Sequence, residues 1–128
     1  VLRWTKETQT VGIMFHTDGT RMEQWCQLRL EISHNKITFE RSGKTEKDQF
    51  FEEERPIHFR NGQYAEIMLL TSNDIVVAYV DDVALCGRCY DYTVGHTGVF
   101  VEYGEVQIDE FEVFEAKEQN RIVKHSVE

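Results

Sequence analysis

Hydrophobic and polar residues alternate along most of this chain, and the three- to four-residue spacing of helices is almost absent. From Cys26 to Ile32, for example, every second residue is apolar and the residues between them are polar. This period of two is typical of a β-strand that buries one of its faces. Strands with this pattern are predicted at Val11–His16, Trp25–Ile32, Lys36–Arg41, Tyr64–Thr71, Ile75–Val80, Val83–Tyr90, Gly98–Tyr103 and Val106–Glu115.

Short polar segments separate the predicted strands, and several of them hold residues that accept the left-handed backbone conformation. Asn61-Gly62 is among the strongest two-residue turn signals, and Asp81-Asp82 is predicted to close a tight hairpin. Many short strands joined by tight turns are typical of antiparallel sheets packed face to face. The predicted fold class is therefore all-β, an antiparallel two-sheet β-sandwich.

Three segments depart from the alternating pattern. The stretch Ser42–Arg55 is polar and charged around two phenylalanines, so we predict a loop that lies over the edge of the sandwich. In the last predicted strand the apolar positions change phase near Asp109-Glu110, which indicates a β-bulge. Residues 1–116 are predicted to form the sandwich domain, and the polar residues 117–128 a short helix or a disordered tail.

The charge of the chain argues against two classes of partner. Its 14 basic and 23 acidic side chains give a net charge of −9. Proteins that bind nucleic acids or anionic membranes need a basic surface to attract phosphate groups, and the sequence holds no basic stripe. No apolar run approaches the roughly 18–20 residues that a membrane-spanning helix requires. The chain opens in mid-pattern at Val1 without a methionine, which is typical of an excised fragment.

Three cysteines, an odd number, argue against a disulfide framework. Cys86 and Cys89 have the spacing of a zinc or redox pair, but residues three apart on a strand point to opposite faces. No second cysteine pair and no histidine pair with zinc-finger spacing accompanies them. We therefore interpret the thiols as structural and predict no metal and no cofactor. Reduced cysteines favour a cytoplasmic parent protein.

The acidic residues of the last predicted strand are a candidate for catalysis. Gln107, Asp109 and Glu112 resemble the Glu-x-Asp-x-x-Glu spacing with which jelly-roll β-glucanases present their carboxylates. Retaining hydrolysis needs a nucleophilic carboxylate and a second carboxyl group about 5 Å away. Gln107 stands where the nucleophile would be, and an amide cannot attack. The nucleophile elbow, the P-loop and the H-E-x-x-H motif are missing as well, so no catalytic residue is predicted.

The hairpin from Asp74 to Asp91 carries a more specific pattern. Its sequence, DIVVAYVDDVALCGRCYD, resembles the C-terminal β-sandwich of glycoside hydrolase family 32, the fructoside hydrolases. There, a strand of the type hydrophobic-x-V-Y-V-N-D is followed by V-A-L-S-x-R-x-Y-D. Gly95–Gly104 is similar to the next block of the family, and Val106–Val113 to its closing strand. The likeness covers roughly residues 10–115; it departs at Cys86 and Cys89, where serine and an aliphatic residue are common.

The resemblance implies an accessory domain of a fructoside hydrolase, with a β-sandwich of the concanavalin-like jelly-roll type. In the family the catalytic residues lie in an N-terminal five-bladed propeller, and because none of its motifs occurs here, no catalytic residue is carried over. The implied partner is that propeller, which would cover one outer face of the sandwich. Such a face keeps apolar side chains. Met68 and Leu70, which alternate with the inward Ile67 and Leu69, are the residues that we expect on it.

An independent sugar-binding module is the alternative hypothesis, since related modules hold fructose-containing sugars. It requires a polar pocket in which an arginine, a carboxylate and an aromatic ring converge, because rings stack on sugars while charged groups bond their hydroxyls. The residues predicted to form this pocket are Trp25, Arg41, Arg88 and Tyr90. The presence of an apolar outer face would favour the accessory domain, and a polar pocket would favour the module.

Overall fold

The computed structural model describes residues 1–17, 25–42, 49–59, 63–89, 95–116 and 122–126. In these ranges the chain forms thirteen strands and a 3-10 turn at Ile32–His34. The strands are β1 (Leu2–Trp4), β2 (Thr10–Thr17), β3 (Cys26–Glu31), β4 (Lys36–Ser42), β5 (Gln49–Pro56), β6 (Tyr64–Ala65), β7 (Ile67–Ser72), β8 (Ile75–Val80), β9 (Val83–Arg88), β10 (His96–Glu102), β11 (Val106–Ile108), β12 (Glu112–Ala116) and β13 (Ile122–Ser126). Within the described part of the chain, no helix is long and apolar enough to cross a membrane.

A five-stranded antiparallel sheet, in the order β10-β2-β3-β4-β5, forms one layer of the sandwich. Residues that pair across neighbouring strands leave a sheet on the same side, so the register separates an inner face from an outer one. Leu28 pairs with Phe39, and both are buried on the inner face. Arg29 pairs with Gly12 on one side and Thr38 on the other, and these three residues lie on the outer face.

The second layer consists of two three-stranded sheets, β11-β1-β6 and β7-β8-β9. The two sheets are connected by a nearly continuous strand, because only Glu66 separates β6 of the first sheet from β7 of the second. Ala65 pairs with Leu2 of β1, whereas the carbonyl oxygen of Glu66 accepts a 2.8 Å hydrogen bond from the amide of Asp81. The backbone groups of successive strand residues point to opposite edges. β1 and β8 therefore pair with opposite edges of the nearly continuous strand that β6 and β7 form.

The hydrophobic core lies between the two layers and draws side chains from both. Its largest fully buried side chains are Val11, Phe15, Leu28, Leu30, Ile37, Phe39, Val76, Val80 and Leu85. The rings of Phe15 and Phe39 stack with centroids 5.9 Å apart. Gly87 of β9 lies so close to Phe39 that a Cβ atom would come within 2.5 Å of the ring. The predicted all-β, antiparallel, two-layer sandwich is confirmed.

The β8–β9 hairpin turns at the two aspartates that the sequence indicates. Asp81 has a φ of 52°, in the left-handed region that a short polar side chain tolerates. Its Oδ1 atom also accepts a 3.0 Å hydrogen bond from the amide of Glu66. Asp81 therefore has a structural role, since it both forms the turn and fastens the junction of β6 and β7.

The loop predicted at Ser42–Arg55 is wrong for residues 49–55, because these belong to β5, which pairs with β4. Residues 43–48 of this prediction lie outside the described residues. The run of charged residues in β5 concealed the strand. At the edge of a sheet, however, charge is favourable because it discourages pairing with other molecules. Lys36 of β4 lies 3.3 Å from Glu54 of β5, a cross-strand pair of opposite charges. Pro56 ends the strand, where a missing amide donor costs least.

The single bulged strand predicted at Val106–Glu115 is also wrong, because β11 pairs with β1 whereas β12 pairs with β13. The phase change near Asp109-Glu110 marks a change of partner. Helix or disorder is likewise wrong for the part of the tail that forms β13. The sequence missed β13 because only Ile122-Val123 is apolar there, and missed β1 because three residues are too few to show alternation. The division at residue 116 stays a prediction.

Candidate functional site

The outer face of the five-stranded sheet carries polar side chains that are deeply buried for a surface opposite the core. We call it the polar face; its members are Thr10, Gln27, Arg29, Glu31, Thr38, Glu40, Phe100 and Glu102. Thr10 and Thr38 are 3% exposed, and the Arg29 side chain 13%. The side chains of Glu31 and Glu40 are 17% and 15% exposed. Charged residues are rarely buried to this extent unless they are paired.

The register of the sheet brings these residues together. One row across the strands contains Phe100, Gly12, Arg29 and Thr38. The row on one side of it contains Glu102, Thr10 and Glu31, and the row on the other side contains Gln27 and Glu40. Paired residues on adjacent strands have Cβ atoms about 5 Å apart, so long side chains in these rows touch.

Arg29 lies at the centre of the hydrogen-bond network of the polar face. Its two terminal nitrogens donate to the two carboxylate oxygens of Glu102, at 3.0 and 2.7 Å. Its Nε atom donates to Glu31 at 2.8 Å and lies 3.8 Å from a carboxylate oxygen of Glu40. The planar guanidinium matches a carboxylate in this two-pronged geometry, which fixes its direction as well as its charge. One arginine is thus surrounded by three glutamates.

Two uncharged side chains extend the network. The Thr10 hydroxyl donates to the second oxygen of Glu31 at 2.9 Å, and the Gln27 amide donates to Glu40 at 2.9 Å. Both carboxylates are therefore held from two directions, because Arg29 approaches each of them as well. Such bonds keep rotatable side chains in one arrangement, so the polar face presents its remaining lone pairs in fixed positions.

The same contacts shift two pKa values. Hydrogen bonding to Glu102 raises the pKa of Arg29 above its ordinary value, against burial, which lowers it. Burial alone would raise the pKa of Glu31. Hydrogen bonds from Arg29 and Thr10, together with the charge of Arg29, outweigh burial and hold the pKa of Glu31 below its ordinary 4.5. Arg29 and Glu31 are therefore both charged at neutral pH.

An aromatic ring borders the charged groups. Phe100 lies over Gly12, where a Cβ atom would come within 2.7 Å of the ring. The central carbon of the Arg29 guanidinium is 5.6 Å from the centroid of the same ring, within the range of a cation–π contact. A side chain at position 12 would push the ring away from the sheet. Because residue 12 is a glycine, the ring of Phe100 can lie against the sheet beside Arg29.

One hydroxyl of the polar face, that of Thr38, has no hydrogen-bond partner among the residues that the structure describes. Leaving a buried hydroxyl without a bond costs about 1–3 kcal/mol. Thr38 pairs directly with Arg29, so this unpaired group lies in the middle of the network. Buried polar groups without partners are rare in native proteins, so Thr38 distinguishes this cluster from an ordinary outer face.

Two of the four predicted pocket residues, Trp25 and Arg41, lie at one end of the five-stranded sheet. Trp25 is half-buried; its carbonyl accepts a 2.9 Å hydrogen bond from the amide of Ser42, and its amide donates to the Ser42 hydroxyl at 2.9 Å. Arg41 pairs with Cys26. Trp25 and Arg41 are thus one position apart in the register, and the pleat directs their side chains to opposite faces.

The other two predicted residues lie elsewhere or outside the description. Arg88 is at the end of β9, on the outer face of a three-stranded sheet, with its side chain 58% exposed and 3.4 Å from Asp74. Tyr90 lies outside the described residues. The structure therefore brings Arg88 to a different sheet from Trp25 and Arg41, and the role of all four in sugar binding stays a prediction.

The sequence alone did not single out the polar face. Alternation assigns Gln27, Arg29 and Glu31 to the polar side of one strand, but the same pattern describes any solvated outer face. Glu102, which gives Arg29 its two shortest terminal contacts, is 73 residues away along the chain. Only the strand order makes them neighbours. The local signal is an arginine that alternates with Gln27 and Glu31 on a strand with predicted strands before and after it.

The other candidate groups have ordinary surroundings. Gln107 donates to Asp109 at 3.0 Å, and Arg3 also bonds Asp109, all three on exposed surface. Cys26, Cys86 and Cys89 form no disulfide; Cys86 is exposed and Cys89 buried, as the pleat predicts. In the described ranges, no group of three or more histidine, cysteine, aspartate or glutamate residues could hold a metal ion.

The outer face of β7-β8-β9 contrasts with the polar face. We call it the apolar face; its members are Met68, Leu70, Ile75, Val77, Tyr79 and Cys86, which the register places on one side. Met68 is 57% exposed, Leu70 51%, Ile75 45% and Tyr79 40%. The expected exposure of Met68 and Leu70 on an apolar outer face is confirmed.

Comparisons with known proteins address the class of the fold. No protein-family model and no curated protein matches the chain. Among solved structures, the fold is similar to that of a β-sandwich carbohydrate-binding module. The structure in question is the carbohydrate-binding module CBM66 from Bacillus subtilis, which aligns with a TM-score of 0.70 and 12% sequence identity over 82% of this chain. The chain spans 65% of the length of that structure. At this identity the likeness establishes the fold alone.

Proposed function

We propose that this domain is a non-catalytic carbohydrate-binding module and that the polar face is its sugar-binding surface. The observation that carries the proposal is the fixed hydrogen-bond network around Arg29, in which the side chain of Glu102 is still 45% exposed to an approaching ligand. The similarity to a carbohydrate-binding module supports the class. The accessory domain of a family 32 hydrolase is a β-sandwich of the same kind. The polar face could therefore bind sugar whether the domain is an independent module or part of such a hydrolase.

The chemistry of the polar face fits a neutral sugar. Sugar hydroxyls both donate and accept, so they can bond to the carboxylates and to the guanidinium of Arg29. Phe100 offers an apolar surface for the carbon-bound hydrogens of a ring. Three carboxylates against one guanidinium repel anionic ligands. Fructose-containing sugars, which the family resemblance implies, are neutral and meet these requirements.

Calorimetric titration with fructose, sucrose, inulin and levan tests the proposal. We expect the wild-type domain to release heat with at least one of them. Glu102→Gln keeps the size of the side chain but removes its charge, and should weaken affinity about tenfold, since a hydrogen bond to a charged group contributes roughly 1.5–3 kcal/mol. Glu66→Gln, an exposed change on the other layer, should leave affinity unaltered. An absence of heat with every sugar at millimolar concentration would remove the proposal.

Thr38→Val provides a second readout because it separates stability from binding. The substitution replaces the unpaired hydroxyl with a methyl group of the same shape, so the free energy of unfolding should rise by about 1 kcal/mol. Affinity for the sugar should stay the same, because the hydroxyl is buried and a ligand does not reach it. Trp25→Ala and Arg88→Gln test the pocket predicted from the sequence. If either abolishes binding while Glu102→Gln does not, the sugar binds there and not on the polar face.

The apolar face supports a second function, as a support for a larger protein. We propose that the N-terminal five-bladed propeller of a glycoside hydrolase of family 32 type covers Met68, Leu70 and their neighbours. These large side chains are half exposed in one contiguous patch. The free energy falls when another protein covers such a patch and removes it from water. This role and sugar binding use different sheets, so one domain can perform both.

Binding to a separately produced propeller of a family 32 fructoside hydrolase tests the second function. Leu70→Arg should abolish the association, because it places an unpaired charge in the contact, whereas Glu102→Gln on the opposite layer should leave it intact. If the wild-type domain does not bind the propeller at micromolar concentration, the proposed support role is removed.

A further inference from the structure

Four side chains gather on the outer face of the sheet β11-β1-β6. Arg3 of β1 pairs with Gln107 of β11 on one side and with Tyr64 of β6 on the other. Both chain neighbours of Arg3 are buried in the core, so the pleat directs this row of three away from the core. Asp109 follows Gln107 by two residues, and its carboxylate accepts hydrogen bonds from Arg3 and from Gln107. We call these four residues the Arg3 cluster.

Two contacts hold the guanidinium of Arg3 in place and leave its terminal nitrogens unused. The central carbon lies 4.7 Å from the centroid of the Tyr64 ring, within the range of a cation–π contact. The Nε atom donates to Asp109. Among the described residues, neither terminal nitrogen of Arg3 has a hydrogen-bond partner. The side chain is 50% exposed, so a ligand from solution can reach these donors.

The Arg3 cluster repeats the chemistry of the polar face in a more accessible form. Arg29 also lies over a ring, that of Phe100, and is also bonded to carboxylates. Its terminal nitrogens, however, are both bonded to Glu102 already. Its side chain is 13% exposed, compared with 50% for Arg3. Of the two arginines, Arg3 is therefore the one that can offer both terminal nitrogens to a ligand.

An exposed arginine on the other layer shows what is particular to Arg3. The side chain of Arg55 is 47% exposed and, like that of Arg3, is paired with a carboxylate. Its Nη1 atom donates to Glu53 at 2.6 Å and to the carbonyl of Glu54 at 2.7 Å, so a terminal nitrogen is already in use. Arg3 is fixed through Nε and the ring instead. A side chain that is held in position before a ligand arrives loses less conformational entropy on binding.

We propose that the Arg3 cluster is a second binding site for a neutral sugar, on the layer opposite the polar face. The terminal nitrogens of Arg3 donate to two adjacent hydroxyl oxygens of the sugar, and the remaining lone pairs of Asp109 and Gln107 accept hydrogen bonds from its hydroxyl groups. An anionic ligand fits less well, because Asp109 balances the charge of Arg3 and the chain has a net charge of −9. The inference rests on the proposed class, a carbohydrate-binding module, and does not require sugar to bind the polar face.

Two sites on opposite layers have a consequence for polymeric sugars. A single polymer chain or two neighbouring chains can occupy both sites of one domain, and the second contact is then made at a high effective concentration. A monosaccharide gains nothing from this arrangement. Binding to a polymer should therefore be tighter than binding to its repeating unit.

NMR titration with fructose and with sucrose tests the proposal, because backbone amide shifts report each site separately. The amides of Arg3, Tyr64 and Gln107 should shift saturably at millimolar sugar. Arg3→Lys keeps the charge but lacks the flat fork that bonds two hydroxyl groups at once. It should weaken binding at the Arg3 cluster about tenfold, as expected for the loss of a hydrogen bond to a charged group. Arg55→Lys, the matched change at an exposed arginine, should leave binding unaltered.

The amides of Arg29 and Thr38 report the polar face in the same spectra. Shifts at the Arg3 cluster that Arg3→Lys weakens and Arg55→Lys preserves support the proposal, whether or not the polar face responds. Shifts confined to the polar face, or equal binding by the wild type and Arg3→Lys, overturn the proposal and leave the proposed function standing. An absence of shifts on both faces overturns both. Larger shifts at the Arg3 cluster with sodium acetate than with either sugar overturn the assignment to a neutral ligand.

Discussion

The polar face and the apolar face share a pleated backbone and differ in which side chains are removed from water. On the polar face, Arg29, Glu31 and Glu40 are largely buried, and Arg29 is bonded to Glu31 and Glu102. On the apolar face, Met68 and Leu70 are 57% and 51% exposed. An antiparallel sheet usually has the reverse arrangement on its outer side, with charges in water and few large apolar groups. The polar face departs from this arrangement because its charges are buried, and the apolar face departs from it because its large apolar side chains are exposed.

The two faces are suited to two different kinds of ligand, a small hydroxylated molecule and the surface of another protein. Polar groups that are locked in a network present hydrogen bonds in fixed directions, which suits a small hydroxylated ligand. The hydrophobic interaction of exposed apolar groups has no preferred direction. It lowers the free energy only when an extended surface covers these groups and removes them from water. The contrast supports our proposals that the five-stranded sheet binds sugar and that β7-β8-β9 contacts protein.

Breaking the network at its centre should have the largest effect on stability. Arg29→Met leaves Glu31 and Glu40 buried without their cation, and removal of one partner from a buried charge cluster costs about 3 kcal/mol. Arg88→Met removes an exposed ion pair with Asp74 beside the apolar face, and should cost no more than about 0.5 kcal/mol. Urea unfolding of both variants measures the difference. Equal losses would show that the two faces are energetically alike.

A single methyl group should also disturb the polar face. Gly12→Ala places a Cβ atom against the Phe100 ring and the backbone of β3, so we expect a loss of about 2 kcal/mol in the free energy of unfolding. Gly98→Ala, two residues from Phe100 on the same face, adds a Cβ atom that meets nothing within 4 Å. The alanine at 98 should be neutral. If both changes are neutral by thermal unfolding, the ring does not pack on Gly12.

Acidification should weaken the polar face through Glu31. Its pKa is lowered in the folded state, so its contribution to stability is present above the ordinary value of 4.5 and is lost as the pH falls through the lowered value. Glu31→Gln should therefore lose less stability than the wild type between pH 5 and pH 3, as approximate bounds of the titration of a carboxyl group. Urea unfolding at each pH measures this, with Glu66→Gln as control. Parallel curves for all three chains would contradict the assignment.

Changes on the apolar face should have the smallest effect on stability. The double variant Met68→Ser, Leu70→Ser alters side chains that are already half in water, so the free energy of unfolding should change by less than about 0.5 kcal/mol. Binding of a hydrophobic dye and self-association at high concentration should decrease, because the exposed apolar area is reduced. A large loss of stability would show that these side chains belong to the core.

The fold was predictable where strands are long and bury one face. β2, β3, β4 and β8 follow the alternating pattern within a residue or so of the predicted bounds. The pattern failed where burial is not the controlling influence. β5 is an edge strand, whose charges face water, and β1 is too short to show a period. In these strands hydrogen bonding to a neighbour determines the structure, and the neighbour is not visible in the local sequence.

The candidate site was less predictable than the fold. Turn chemistry explains Asp81, and the pleat explains why Cys86 and Cys89 lie apart, both from local sequence. The polar face depends on contacts between Arg29 and residues of other strands, above all Glu102. An isolated strand pattern cannot tell an arginine in water from one that is bonded to three carboxylates. The unpaired state of Thr38 is likewise a property of the assembled sheet.

The pairing of β1 with β11 has a consequence for the order in which the chain assembles. Arg3 and Asp109 are 106 residues apart, so their contact closes a loop that spans most of the chain. The strands β7, β8 and β9 are joined by two-residue turns and require no long closure, which favours early formation. Pulsed hydrogen exchange during refolding should protect residues of β8 before those of β1. β1 would then reach its native position after β8, although it precedes β8 in the chain.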